Sequence, residues 1–197
     1  MMNTSKMNEL FKQLELSSQE VLLLKSLNEF YENTEYFNLL SNIIDGTGQI
    51  SRRIFEFFVT NYSLKHNISY DILDKGCKYN FIVHSSYKDQ LKAHRKKYFD
   101  PFGRGSRIPF FIKDNCIITT IGQLNFYRWF FSKNIYNYCV KNHTTIQAEL
   151  FLNKSTKIKK KKNDNREPKQ LNLIKKQINY IYMNNVKNSN ITVSFDI

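Results

Sequence analysis

The sequence lacks the features that mark membrane-spanning, secreted and metal-binding chains. No uninterrupted apolar stretch in its 197 residues approaches the roughly 18 residues that a membrane-spanning helix needs, so no transmembrane segment is expected. The first nine residues, Met1 to Glu9, have no apolar signal core. Cysteine is scarce, and Cys77, Cys116 and Cys139 are odd in number and far apart. They offer neither a zinc spacing nor a disulfide framework, which favours a reducing compartment. His66, His84, His94 and His143 share no ligand spacing, so no metal and no other cofactor is expected. Acidic residues are also short, with 17 Asp and Glu against 30 Lys and Arg.

What is present is enough apolar matter for a packed domain, 41% of residues, with 15% aromatic. The formal net charge of +13 is unevenly spread: −4 over residues 1–50, +9 over 51–150 and +8 over 151–197. Abundant Asn, Lys, Ile and Tyr are the residues of AT-rich codons, and codon bias accounts for part of the lysine excess. It does not account for clustering. Clustered cations favour a polyanion partner, because each phosphate they neutralise releases counterions.

Periodicity predicts an α+β fold. Residues 1–45 form an acidic helical region: Met7, Leu10, Phe11 and Leu14 share one face. Ser17-Ser18-Gln19-Glu20 is a capping box that opens a stripe of Val21, Leu24, Leu27 and Tyr31. A third short helix follows Thr34. A core domain spans 50–152. In it Ser51 opens a helix over about 52–65, with Ile54, Phe57, Phe58 and Asn61 on one face. Arg52 and Arg53 occupy its first turn, the wrong end for the helix dipole, which points to an anionic neighbour or to a local carboxylate such as Glu56. Period-two alternation at Ile68–Ile72 and the β-rich run Tyr79–His84 predict strands of a small antiparallel sheet, whose clearest hairpin spans about 107–120. Cys116 is expected there as a buried, inert thiol. Thr120 to Gln123 reads as a second capping box, opening a helix buried nearly all round at about 121–132. A further helix follows at about 134–142. Residues 153–170, with six lysines between Lys154 and Lys162, read as a basic, disordered linker. Residues 171–197 read as a helix and a strand, Ile191–Phe195, returning to the core.

The segment 86–107 carries the functional expectation, with seven Lys and Arg, two Asp and four interleaved aromatics. If 87–97 is helical, Lys88, Lys92 and Arg95 or Lys96 form a row that can follow a phosphate backbone. Arg104 and Arg107 beyond the turn can clamp it, and the aromatics can stack on bases. The competing reading makes Tyr98, Phe99 and Phe102 core anchors and the cations a solvated face. The expected nucleic-acid-binding residues are Lys88, Lys92, Arg95, Lys96, Lys97, Arg104 and Arg107, with Lys159, Lys160, Lys161 and Lys162 adding nonspecific affinity.

Enzyme readings find little support. Tyr98 beside His94, Arg95 and Lys96 resembles a strand-transfer nucleophile, but such sites need Arg and His from separate parts of the fold. A metal nuclease needs clustered carboxylates, whereas Asp71, Asp74, Asp89 and Asp100 are dispersed beside cations that look paired with them. No catalytic residue is assigned. The helices at 120–131 and 134–142 imitate a helix-turn-helix, but Lys141 is the second helix's one cation, poor equipment for recognition.

Three runs, Phe57–Ser63, Tyr87–Ala93 and Lys97–Phe102, resemble a family of uncharacterised proteins of giant, nucleocytoplasmic large DNA viruses. Thr119–Phe126 and Val193–Asp196 fit the same pattern, which covers roughly residues 50–196 and leaves the N-terminal helices outside. Where that pattern follows Asp-Pro-Phe with Cys-Arg-Arg-Glu-Arg, this chain has Gly103-Arg104-Gly105-Ser106-Arg107, so no thiol or metal role is expected at the turn. The resemblance brings no activity with it. The expectation is a non-enzymatic, basic viral protein that binds nucleic acid, DNA in preference to RNA. The alternative is a structural or interaction protein of the virion whose basic face meets an acidic viral protein. Its expected place is the infected-cell cytoplasm or viral factory, with packaging in the virion and nuclear entry left open.

Overall fold

The first helix described, α1 (Ser18–Tyr31), begins at the capping box read from the sequence. The Ser17 hydroxyl accepts from the Glu20 amide at 3.4 Å, and the Glu20 carboxylate accepts from the Ser17 amide at 2.9 Å. The structure is a computed structural model that describes residues 16–74 and 76–161, with side chains through Asn153. The predicted helix around Met7–Leu14 lies outside the described residues. Helix α2 (Thr34–Asp45) is capped by the Asn33 side chain, which accepts from the Glu35 amide at 3.0 Å. It ends at Gly46 with φ +78°, where glycine avoids the Cβ clash of a left-handed cap.

Helix α3 starts over Arg52–Phe57, widens to a π-helical turn over Phe58–Tyr62 and closes with Ser63–Lys65. Ser51 makes no side-chain cap bond. The π turn inserts an extra residue and rotates the buried face, so Phe55, Phe58, Val59 and Tyr62 are buried. Asn61, expected on that face, is exposed and donates to the Thr60 hydroxyl at 2.8 Å.

The strands form two antiparallel hairpins, β1 (Ser69–Asp74) with β2 (Cys77–Ile82) and β3 (Ile108–Ile112) with β4 (Asn115–Thr119). Between them lie helix α4 (Val83–His94) and a 3₁₀ turn, Lys96–Tyr98. Strand β3 alternates as a half-buried strand should, with Ile108, Phe110 and Ile112 inward. The same alternation on β4 turns Ile117 and Thr119 inward and leaves Cys116 exposed. Cys116 is therefore not the buried thiol expected; its neighbours take the core positions.

Helix α5 (Ile121–Ser132) is the post around which this α+β fold packs: ten of its twelve residues are buried. Other elements reach it through polar contacts as well as rings. The Tyr31 hydroxyl donates to the Leu124 carbonyl at 2.8 Å, and the Trp129 indole donates to the Ser86 hydroxyl at 3.0 Å. The Tyr70 hydroxyl donates to the Lys133 carbonyl just past its end at 2.9 Å. Helix α6 (Ile135–Lys141) follows and buries Ile135 and Cys139.

The chain divides into compact units at Lys141/Asn142, so the acidic helices α1 and α2 belong to the same unit as α3 to α6. In the second unit, α7 (His143–Lys161) runs through residues 153–161, where the lysine run suggested the start of a linker. No Gly or Pro interrupts that stretch, and lysine is a good helix former. Lys162, the rest of the predicted linker and the predicted C-terminal strand lie outside the described residues.

The backbone of residues 97–101 lies directly on the first turn of α5. The Asp100 amide donates to the Gly122 carbonyl at 3.1 Å, and the Asn125 side chain donates to the Tyr98 carbonyl at 2.9 Å. A Cβ at position 122 would stand 2.8 Å from the Lys97 carbonyl oxygen. Gly122→Ala is therefore expected to destabilise the fold by about 1–3 kcal/mol through forced backbone displacement. Chemical denaturation reads this; an unchanged midpoint would show that the segment is not docked there.

Candidate nucleic-acid interface

The predicted row of cations along residues 87–97 requires one continuous helix, and the chain does not provide it. Helix α4 ends at His94, and Arg95 takes φ +54° and ψ 161°. This break turns the chain so that 97–101 can dock on α5. Lys88 and Lys92 stand exposed on α4, with Lys92 3.9 Å from Asp89 across two well-exposed side chains. Arg95 and Lys96 are exposed beyond the helix end and do not extend its row.

Two predicted phosphate ligands turn to carboxylates instead. The Lys97 ammonium donates to Glu20 Oε1 at 2.9 Å, and the Tyr98 hydroxyl donates to the same oxygen at 3.2 Å. The Glu20 side chain is only 11% exposed. The Ser17 amide, with Lys97 next in effect, pulls its carboxyl down to about 2. Arg104 grips Asp100, its guanidinium 2.7 Å from Oδ1 and its own amide 3.0 Å from Oδ2. Burial alone would raise the Asp100 carboxyl, but Arg104 more than offsets this and the pKa falls. Lys97 and Arg104 therefore each have a carboxylate partner within the fold, while their own side chains stay 60% and 74% exposed. Sequence position placed both in the basic segment and set Asp100 beside Arg104, whereas Glu20, the partner of Lys97, became apparent only in the fold. The expectation that Asp71, Asp89 and Asp100 pair with neighbouring cations holds, with Lys78, Lys92 and Arg104 respectively, while Asp74 pairs with the distant Lys133.

Arg107 stays exposed and lines a cleft of about 150 Å³ together with Arg52, Phe102 and Gln123. The α3 N-terminus thus delivers Arg52 to the same cleft as Arg107, and among the described residues Arg52 forms no ion pair with Glu56 or any other carboxylate. Among the described residues no carboxylate lies within ion-pair distance of Arg52, Arg95, Lys96, Arg107 or Lys88. Lys159, Lys160 and Lys161 lie on α7 in the second unit, and Lys162 lies beyond the described residues. Among the described residues no three His, Cys, Asp or Glu side chains gather into a metal site.

One cation escaped the sequence reading. Arg128 is the one charged residue of α5, half-buried, and donates to the Ser26 hydroxyl at 2.9 Å and to Asn125 Oδ1 at 2.8 Å. Burial pulls its pKa below the usual guanidinium value. Its signal was available as a lone charge among Phe126, Tyr127, Trp129 and Phe130, where a cation needs a reason.

A family of unknown function, DUF7197, matches residues 2–197. The match therefore includes the N-terminal helices that the resemblance seen in the sequence left outside. An uncharacterized protein of Acanthamoeba polyphaga mimivirus is 33% identical over 181 residues, covering 89% of this chain and 68% of that protein. This agrees with the giant-virus resemblance. No solved structure matches.

Two outcomes test this geometry. Glu20 ionises below its ordinary value of 4.5, so its stabilising contribution is full above that pH and is lost as pH falls toward 2. Glu20→Gln should melt below the wild type at pH 7, with the gap narrowing on acidification below pH 4.5; a constant gap would refute the pairing. Arg95 holds a conformation that glycine adopts without strain. Arg95→Gly should therefore be about 1 kcal/mol more stable than Arg95→Ala in thermal or denaturant melts.

Proposed function

We propose that this chain, which belongs to the DUF7197 family, binds nucleic acid through phosphate contacts without catalysing a reaction. The observation that supports this reading is the set of exposed cations Lys88, Arg95, Lys96 and Arg107, joined by the half-buried Arg52, none ion-paired among the described residues. Lys92 joins them, since its 3.9 Å approach to Asp89 leaves both side chains well exposed and such a pair contributes little. Solvated cations of this kind release counterions when they meet phosphates. Lys97 and Arg104 leave the set because their charges are already answered within the fold. Lys159 to Lys162 add nonspecific attraction from the second unit.

Resemblance to proteins of large DNA viruses favours DNA over RNA as the partner, with the infected-cell cytoplasm or viral factory as the proposed scene of the encounter. The competing partner, an acidic viral protein, would meet the same cations but would not show the salt law of a nucleic acid. Anisotropy titrations of labelled duplex DNA and RNA at rising salt separate the two. Log affinity should fall linearly with log salt, and the quadruple Ala variant at Lys88, Lys92, Arg95 and Lys96 should reduce the slope by roughly 3 to 4. Arg104→Ala should lower the melting temperature while leaving that slope nearly unchanged. Absence of binding at low salt would sink the proposal.

A further inference from the structure

A groove of about 610 Å³ runs between α1 and the C-terminal end of α4, a size typical of small-ligand sites. Its apolar lining includes Leu22, Leu23 and Ala93, and Leu22 is 71% exposed although it sits beside this wall. Arg95 and Arg128 line the same groove. Arg128 is half-buried, yet its only hydrogen-bond partners among the described residues are the neutral oxygens of Ser26 and Asn125. A guanidinium drawn partly out of water usually meets a carboxylate, because its desolvation is otherwise uncompensated. The acid lining the groove is Glu20, whose charge is already held by Lys97 and the Ser17 amide.

A half-buried guanidinium with no acid partner among the described residues, an exposed one in the same groove and an apolar wall together suit a dianion attached to an organic group. A phosphate monoester carries about −1.5 to −2 at neutral pH and presents the terminal oxygens that guanidinium forks bind in pairs. A backbone phosphodiester has one charge and suits the solvated cations Lys88, Lys92 and Lys96 better.

We propose that this groove binds a phosphate monoester bearing a flat or apolar group, the phosphate held by Arg128 and Arg95 and the organic part resting on Leu22, Leu23 and Ala93. Two sources share that chemistry: a free mononucleotide and the 5′-phosphorylated end of a strand. Arg95 is the residue this site shares with the proposed backbone contacts, whereas Arg128 lies outside that set and Lys88, Lys92 and Lys96 do not line the groove.

Calorimetric titration of the full chain with thymidine 5′-monophosphate, thymidine and inorganic phosphate tests it. The monophosphate should bind at least tenfold more tightly than either fragment. Arg95→Ala and Arg128→Lys should each weaken it about tenfold, the latter keeping the charge while losing the fork. Leu22→Ser, at an exposed position that tolerates polarity, should weaken the monophosphate and leave inorganic phosphate unchanged. A second arm compares short oligothymidylates with 5′-phosphate and 5′-hydroxyl ends. A preference for the phosphorylated strand over the free monophosphate assigns the source to strand ends; equal binding assigns it to the mononucleotide. If neither monoester gains over its unphosphorylated counterpart, or if Arg95→Ala binds as the wild type does, the site is overturned. Persisting salt-dependent binding of the 5′-hydroxyl strand would leave the backbone proposal standing in that event.

Discussion

The Lys97 carbonyl oxygen lies against the α-carbon of Gly122 in space that any side chain would fill, and the positions of the basic residues follow from that approach. Because α5 is buried on nearly every face, the segment docked on it must satisfy its own backbone there. Gln123 and Asn125 do this from within the helix, donating to the Pro101 and Tyr98 carbonyls at 3.1 and 2.9 Å. Their polarity in a helix surrounded by rings is thereby explained: each meets a backbone carbonyl of the docked segment, the Pro101 carbonyl also accepting from the Tyr127 hydroxyl at 3.5 Å.

Docking has a consequence for charge. To bring residues 97–101 onto α5, the chain leaves α4 at Arg95 in a backbone conformation unusual for a side-chain-bearing residue. That break interrupts the helical row of cations and turns Lys97 toward Glu20 of α1 and Arg104 toward Asp100. The same region therefore holds two classes of cation. Those engaged with nearly buried carboxylates tie the turn to the fold although their own side chains stay largely exposed, and the others have no carboxylate partner within tight ion-pair distance among the described residues. Arg128 belongs to neither class, since it is half-buried and answered only by neutral oxygens.

Particular residues show how far the sequence could be read. The Ser17–Glu20 box, the β3–β4 hairpin and the all-round burial of α5 were legible because capping, alternation and aromatic density are local signals. The second capping box was legible in half: Thr120 accepts from the Gln123 amide at 3.1 Å, but the Gln123 side chain turns to Pro101 rather than back to the cap. Asn61 and Cys116 were misplaced for related reasons. A π turn shifts a helical face by one residue, and alternation sets a strand's two faces without saying which one meets the core. The competing view of Phe99 as a core anchor proved right for that residue, which is 2% exposed and packs on Phe126 and Trp129.

The amino-acid sequence by itself determined the α+β class, the main helices and hairpins of the first unit, and a segment dense in cations between residues 86 and 107. These depend on neighbours within about one or two helical turns, the range over which periodicity and capping act. Tertiary structure decided which of those cations are free. Lys97 is 77 positions from Glu20, and Arg52 and Arg107 line one cleft from separate parts of the chain. Coulomb energy depends on distance in space and on burial, and neither is written in the order of the residues.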